Sequence, residues 1–359
     1  MPGPFRNRYR AGRRLQRPSP VPMPAARANG LGRTRFLRQS LARHNGCVPR
    51  VWVPYAEFVD EVEAVGHDVH ADVFTGEAPP PDSIDEVEFY VAPYSFTPYP
   101  LELTAKMGSL RVVQLLTAGY ENALPFVRRE VTLCNARGVH DASTAELAVA
   151  LMLSSLRGIP EFVRAQEHHQ WLHTDRPALA DKTVLILGYG SIGAAIERRV
   201  LPFETRVVRV ASKARPDDEV HGVDELPELL PLTDIVVVIT PLTPATRRLV
   251  DATFLAAMRD GALLVNVARG GIVDTEALVA ELRTGRLLAA LDVTDPEPLP
   301  PDHPLWSVPG LLLSPHVGGN SSAFLPRARA LVVAQVARFV AGQPVENIVA
   351  GPTSAPAPR

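Results

Sequence analysis

Cysteine is all but missing from this chain: its 359 residues include two, Cys47 and Cys134. They lack metal-ligand spacing and are too few for a disulfide framework, which argues against a stapled secreted scaffold and fits a reducing cytoplasm. Long apolar runs are missing too. None approaches the ~18 residues that a membrane-spanning helix needs, so no membrane partner is expected. Charge of one sign is not in excess. The formal net charge is −2, which gives no reason to expect nucleic acid as a partner of the folded body. Acidic residues are absent from one stretch: none precedes Glu57, while arginines recur from Arg6 through Arg43. A start of this kind could be a transit peptide or a nucleic-acid-binding arm. Prolines and glycines interrupt it, and we read residues 1–47 as a disordered Arg-rich extension, with Met23 as a later start. Residues 349–359, ending in GPTSAPAPR, read as a frayed tail.

What is present is apolar material, 46% against 21% charge, enough for two domains with separate cores. Folded sequence begins at Val48. Strand-like runs at RVWVPYAEF, VEFYVAPY, LRVVQLL and VTLCN alternate with helical patterns, which indicates a parallel sheet with helices on both faces. From Ser143 to about Gln170 apolar residues recur at helical spacing, broken near Gly158 and Pro160. That pattern predicts one long or kinked helix crossing between domains. DKTVLILGYGSIG then opens a second unit, with strands predicted at TVLIL, RVVRVA, DIVVVIT, ALLVNVA, LLAALDV and GLLLSPH, the complement of a dinucleotide-binding domain. The expected fold is α/β: two doubly wound parallel-sheet domains, the nucleotide-binding one Rossmann-type, joined by crossing helices. Residues 48–145 would form the substrate domain, 146–319 the nucleotide domain, and 320–348 a last helix returning to the first.

Gly188, Gly190 and Gly193 form GYGSIG between a predicted strand and a predicted helix. The first glycine permits the tight turn, the second lets the backbone approach a pyrophosphate, and the third allows close helix packing. Free N–H groups at the helix start then attract the phosphates. The string alone is weak, but the strand–turn–helix setting makes it a dinucleotide signal. An NAD site normally places a carboxylate at the end of the next strand. Here that strand ends in Ala211, followed by Ser212, Lys213 and Arg215. Two cations and a hydroxyl suit the 2′-phosphate of NADP, so NADP is favoured and NAD is the alternative. The plainer reading of these residues is an exposed basic loop.

Three later segments each follow a predicted strand: NVARGGIVDT, LDVTDPEPLP and SPHVGG. They bring Arg269, Glu297 and His316 to the carboxyl edge of the sheet, where open α/β sheets bind ligands. Hydride transfer to a keto acid needs such a set. A cation holds the carboxylate and polarises the carbonyl, and an acid protonates the new alkoxide. A carboxylate beside an imidazole favours its protonated form. Singly, each residue has a plain structural reading as a turn arginine, a surface charge or a strand-end histidine. Coincidence of all three behind a dinucleotide fingerprint is improbable.

At these residues the chain resembles the D-isomer-specific 2-hydroxyacid dehydrogenase family, which includes glyoxylate/hydroxypyruvate reductases and phosphoglycerate dehydrogenase. The resemblance runs through TAGYEN, DASTAELAVALML, GYGSIG, TPLTPATRRLV, NVARGGIVDTEAL, LDVTDPEPLP and SPHVGG. It implies that Arg269 binds substrate, that His316 is the acid/base and that Glu297 is its partner. It further implies that Ala118 and Gly119 offer backbone N–H groups to the substrate carboxylate. Ser191, Ile192, Thr240, Pro241 and Thr246 would line the cofactor, and Asp292 would sit near the nicotinamide carboxamide. A small 2-keto or 2-hydroxy acid is the implied substrate. A homodimer is implied as well, resting here on the apolar TAELAVALML helix.

Several positions depart from the family pattern. Ala211 replaces a ribose-binding Asp, and Tyr120 and Glu121 stand where a small apolar residue and Asp are frequent. His140 occupies a place near the expected pocket entrance where an aliphatic residue would be usual; it could contact substrate, and as a loop residue it is read first as solvated. His168 and His169 are adjacent on a helix and share no face, so no metal site is read there. Of the alternatives, a formate dehydrogenase would carry Gln in place of Glu297. A short phosphoglycerate dehydrogenase stays open, as does a non-catalytic NAD(P)-binding corepressor or sensor. A nucleic-acid binder would depend wholly on residues 1–47.

Overall fold

The computed structural model describes residues 48–66, 69–77, 79–95 and 97–352. The expectations for residues 1–47 and 353–359 fall outside that range. Five strands come first: β1 (Arg50–Val53), β2 (His70–Val73), β3 (Val87–Val91), β4 (Val112–Gln114) and β5 (Thr132–Cys134). Seven more follow: β6 (Thr183–Leu187), β7 (Arg206–Ala211), β8 (Val220–Gly222), β9 (Ile235–Val238), β10 (Leu263–Asn266), β11 (Leu288–Leu291) and β12 (Leu311–Leu313). A last one, β13 (Ile348–Ala350), lies near the chain end.

They form two sheets, ordered β13-β5-β4-β3-β1-β2 and β12-β11-β10-β9-β6-β7-β8. Every pairing is parallel except β13 on β5. Parallel sheets must be covered on both faces, and the side-chain alternation of these strands does that. Leu185, Leu187, Val236, Val238 and Leu264 pack in one core. Their neighbours Val184, Ile186, Val237, Leu263 and Val265 pack in another, on the opposite face. The first sheet repeats the plan, with Val51, Val53, Phe89 and Val91 on one side and Trp52, Tyr90 and Val113 on the other.

The crossing segment is two helices, Asp141–Arg157 and Ile159–Glu167. The break is at Gly158, whose φ of 66° is left-handed, a conformation glycine adopts without the Cβ penalty. Ala145, Ala148, Leu151 and Met152 of the first helix are buried in this chain's own core with Val184, Ile186 and Ala195. Burying a side chain the size of Leu151 or Met152 contributes roughly 2 kcal/mol, so this face is already committed. The final helix, Phe324–Val340, sets Ala328, Val332 and Val336 one turn apart against Val51, Val53 and Phe89 of the first sheet.

Two expectations need correction. The tail does not begin at residue 349. Ile348 and Ala350 pair with β5, and Val349 and Ala350 pack against the core beneath it. Residue-level strand bounds are also shorter than the apolar runs, since RVWVPYAEF leaves β1 after Val53 for a short 3-10 turn at Ala56–Phe58. Among the described residues no helix is long and apolar enough to cross a membrane.

Candidate functional site

The turn after β6 is built around Gly188. Its φ is 109°, and a Cβ there would lie 2.5 Å from the Thr240 amide nitrogen, so no other residue fits without moving the backbone. Gly190 is the reverse case. A Cβ on it would meet nothing within 4 Å, which leaves open space at the start of the helix Ser191–Val200. Unpaired N–H groups of a first helical turn beside an open cradle fit the phosphates of a dinucleotide. Ser191 begins this helix and donates from Oγ to Asp141 Oδ1 at 3.1 Å, which ties the cofactor helix to the start of the crossing helix. Gly193 lies tight against the Gly188 carbonyl, at 3.1 Å from an added Cβ.

Past β7, Ser212, Lys213 and Arg215 are all exposed. Arg215 donates to the Tyr189 carbonyl at 3.1 Å, which draws the basic loop over the glycine turn. Arg209, earlier on the same strand, is spent elsewhere. Its Nε and Nη2 donate to Glu197 at 2.9 and 2.7 Å, and Tyr189 donates to the other oxygen of that buried carboxylate. On the other side of the turn, the Thr246 hydroxyl donates to the Pro241 carbonyl at 2.6 Å and accepts from the Thr243 amide. It shapes the loop after Thr240 and Pro241.

Arg269 leaves β10 in extended conformation, held by Asn266, which is fully buried. The Asn266 side chain donates to the Arg269 carbonyl and accepts from the Ala268 amide, both at 3.0 Å. The guanidinium reaches across to the other sheet. A Cβ on Gly119 would lie 1.7 Å from Arg269 Nη2, so only glycine permits this approach. The turn around Gly119 is stiff. The Ala118 carbonyl accepts from Asn135, and the Gly119 carbonyl accepts from Thr117. Among the described residues the amides of Ala118 and Gly119 have no acceptor, so two N–H groups open to a ligand and a cation meet here.

His316 sits in the loop after β12, about a third exposed, with Nδ1 hydrogen-bonded to Glu297. Its φ of 53° is unusual for a non-glycine residue and is held from below. Asp292, 2% exposed, accepts the His316 amide on its carbonyl at 2.7 Å. Its carboxylate accepts Ser314 Oγ at 2.6 Å and the Val317 and Gly318 amides at 2.9 and 2.8 Å. Asp292, expected beside the cofactor, is thus also the anchor of the loop that carries His316.

Tyr94 and His140 escaped the sequence reading in different ways. Tyr94 is mostly buried, which raises its phenol above the ordinary value, while the Arg269 charge opposes that rise. Its electrostatic neighbours are Arg269, Asp292 and Glu297, which puts it at the cleft. His140, expected in solvent, is 6% exposed. The burial comes from Phe324, stacked on the ring at 5.2 Å, and from Tyr94 against its edge at 6.5 Å. Neither partner is near it in sequence.

Site and fold together define a dinucleotide-dependent oxidoreductase. The family model described as D-isomer specific 2-hydroxyacid dehydrogenase, NAD binding domain, matches residues 149–318. The chain is 35% identical over 228 residues to the human glyoxylate reductase/hydroxypyruvate reductase, covering 60% of this chain and 70% of that one. It is 31% identical to the glyoxylate reductase of Korarchaeum cryptofilum over 317 residues, 84% of this chain and 96% of the other. Among solved structures it resembles an NADPH-dependent glyoxylate/hydroxypyruvate reductase from Sinorhizobium meliloti in complex with NADP and malonate. That match has a TM-score of 0.69 and 26% identity, over 84% of this chain and 97% of the other. The chain belongs to the D-isomer-specific 2-hydroxyacid dehydrogenase family, whose members are NAD(P)-dependent oxidoreductases.

Proposed function

We propose that this chain reduces a small 2-keto acid to a D-2-hydroxy acid with NADPH, as a glyoxylate or hydroxypyruvate reductase does. The observation that carries the reading is the approach of Arg269 to Gly119, which sets a carboxylate clamp on the cleft that also holds the His316–Glu297 pair. The Ala118 and Gly119 amides and the Arg269 guanidinium bind the substrate carboxylate, a charge-assisted set with directional donors. Arg269 also polarises the keto oxygen. Bound NADPH supplies the hydride to C2. His316 delivers a proton to the oxygen as charge develops on it, and Glu297, hydrogen-bonded to Nδ1, orients the ring. Closure of the cleft excludes water meanwhile. A cavity of about 210 Å³ reaches Thr117, the residue before the clamp, and is lined by Tyr94, Ser95, Thr97 and Asn122 and by the apolar Leu101, Leu115 and Phe126, room for a small substrate.

In this reading Gly188, Gly190, Ser191, Ile192 and Gly193 hold the pyrophosphate, and Thr240, Pro241 and Thr246 flank the cofactor. Ser212, Lys213 and Arg215 take the 2′-phosphate, and Asp292 serves the nicotinamide end. The substrate domain comprises residues 48–145 and 320–348, the nucleotide domain 146–319. A homodimer fits exposed apolar side chains that follow the crossing helix. Ile159, Val163, Trp171 and Leu172 are 46%, 51%, 94% and 45% exposed, whereas TAELAVALML is mostly buried in its own chain.

The test is cofactor oxidation against glyoxylate, hydroxypyruvate, pyruvate and phosphohydroxypyruvate, with NADPH and NADH in parallel. We expect turnover of the small unphosphorylated acids and a kcat/KM about tenfold higher with NADPH, the worth of one charge-assisted contact. Ala211→Asp should reverse that preference. Faster turnover with NADH would sink the assignment of Lys213 and Arg215, and preference for phosphohydroxypyruvate would sink the substrate class.

A further inference from the structure

The mechanism leaves one buried imidazole without work. His140 immediately precedes the helix Asp141–Arg157, and its Nε2 lies 2.7 Å from the Leu116 carbonyl oxygen. A carbonyl can only accept, so the ring proton is on Nε2 and Nδ1 is left as an acceptor. That Nδ1 is buried and has no hydrogen-bond partner among the described residues. Gly319 lies against it: a Cβ there would stand 2.9 Å from Nδ1 and 3.1 Å from Cε1. The Gly319 amide donates to no group among the described residues, although Val317 and Gly318 before it both donate to Asp292. An orphaned acceptor therefore lies against the residue whose amide is an orphaned donor. Such groups are costly to leave unmade, and each asks for an explanation.

The two orphans belong to the two loops whose spacing the reaction must fix. Leu116 runs directly into Thr117, Ala118 and Gly119, the carboxylate clamp. Gly319 ends the loop that carries His316. The ring between them has little freedom, with Phe324 stacked on it at 12° and Tyr94 on its edge.

We infer that His140 is a positioning residue for hydride transfer: on closure it accepts the Gly319 amide at Nδ1 while donating from Nε2 to Leu116, and so sets the distance from carboxylate clamp to proton donor. The role rests on the keto acid reading of the site. It accounts for a histidine where an aliphatic side chain would fill the same space, since leucine offers neither bond.

The test compares His140→Leu, His140→Phe and His140→Gln in the full chain, with hydroxypyruvate and NADPH. Oxalate serves as a non-reacting probe of the clamp in the presence of NADP. His140→Phe keeps the stack on Phe324 without the bonds, and His140→Gln keeps a donor near the position of Nε2. His140→Phe and His140→Leu should each lose about tenfold in kcat/KM, the worth of one hydrogen bond. The loss should appear as a higher KM for the keto acid and weaker oxalate binding. NADPH affinity should stay within about twofold of wild type, and His140→Gln should recover part of the loss. Gly319→Ala should impair the wild type yet add little to His140→Ala, which empties the space that its Cβ would enter. Wild-type kinetics in His140→Phe would overturn the role, as would a His140→Gln no better than His140→Leu. A wild-type chain that turns over no 2-keto acid would overturn the keto acid reading, and this role with it. An active wild type with an indifferent His140→Phe overturns the positioning role alone.

Discussion

His316 follows a strand of one sheet and His140 opens the helix that leaves the other, and their surroundings differ in nearly every respect. His316 is about a third exposed, bonds to the Glu297 carboxylate and sits on backbone held left-handed by Asp292. His140 is enclosed by two aromatic rings, faces a neutral carbonyl and meets no carboxylate directly. Burial pushes its imidazole below the ordinary value, against the smaller opposing pull of the Leu116 carbonyl and of Asp141. The same side chain is thus prepared for opposite tasks. A part-exposed ring bonded to a carboxylate has access to substrate, whereas a buried ring bonded to a carbonyl is placed to hold geometry.

The sharpest break of this comparison is to remove the proton donor proposed above. His316→Ala should lower kcat about a thousandfold, within the range of general acid catalysis, and leave NADPH binding close to wild type. Direct titration of the variant with NADPH, beside its turnover rate, separates the two effects. A loss under about tenfold would place the proton donor elsewhere. Glu297→Gln should cost less, about tenfold in kcat, because the amide keeps the ring oriented but brings no charge. Steady-state kinetics on both Glu297→Gln and Glu297→Ala checks the point. Equal loss in the two would mean that orientation contributes nothing and that the charge alone matters.

Of these two regions, the sequence made His316 readable and hid His140. His316, Glu297 and Arg269 follow β12, β11 and β10 within a few residues, so local order alone carries them to the carboxyl edge. The glycines of GYGSIG are equally local, since the turn and the helix they serve adjoin them. His140 depends on Phe324 and Gly319, which only the return of the last helix to the first sheet brings near. Asp292 shows the same limit. Its place beside the site was legible, but the bonds to residues 314–318 needed the parallel pairing of β11 with β12. Strands β2, β8 and β13 were unread because they are edge strands of three or four residues, with HADV of β2 showing no buried position. The apolar face of TAELAVALML suggested a surface for a second copy, while Thr144, Ala145, Ala148, Leu151 and Met152 of that segment are buried in this chain's own core.

The finest contrast between the two regions is a thermodynamic one at His140. Burial lowers its pKa from the ordinary 6.5 of a free imidazole. In the unfolded chain the ring regains that ordinary value, so between the two values the unfolded state binds more protons than the folded one. The stability linked to this group is therefore fully present above the unfolded value and is lost as pH falls toward the folded value. His140→Phe removes the titrating group and keeps an aromatic ring against Phe324. Its melting temperature at about pH 7 should be a few degrees below wild type for want of the Leu116 bond. Its further decline between about pH 7 and about pH 5 should be shallower than that of wild type, so that the two curves converge on the acid side. Thermal melts across that range measure the difference directly, because every other titrating group is common to both chains. Parallel curves would mean that His140 charges as readily in the fold as out of it, and the picture of a dry, neutral ring would fail.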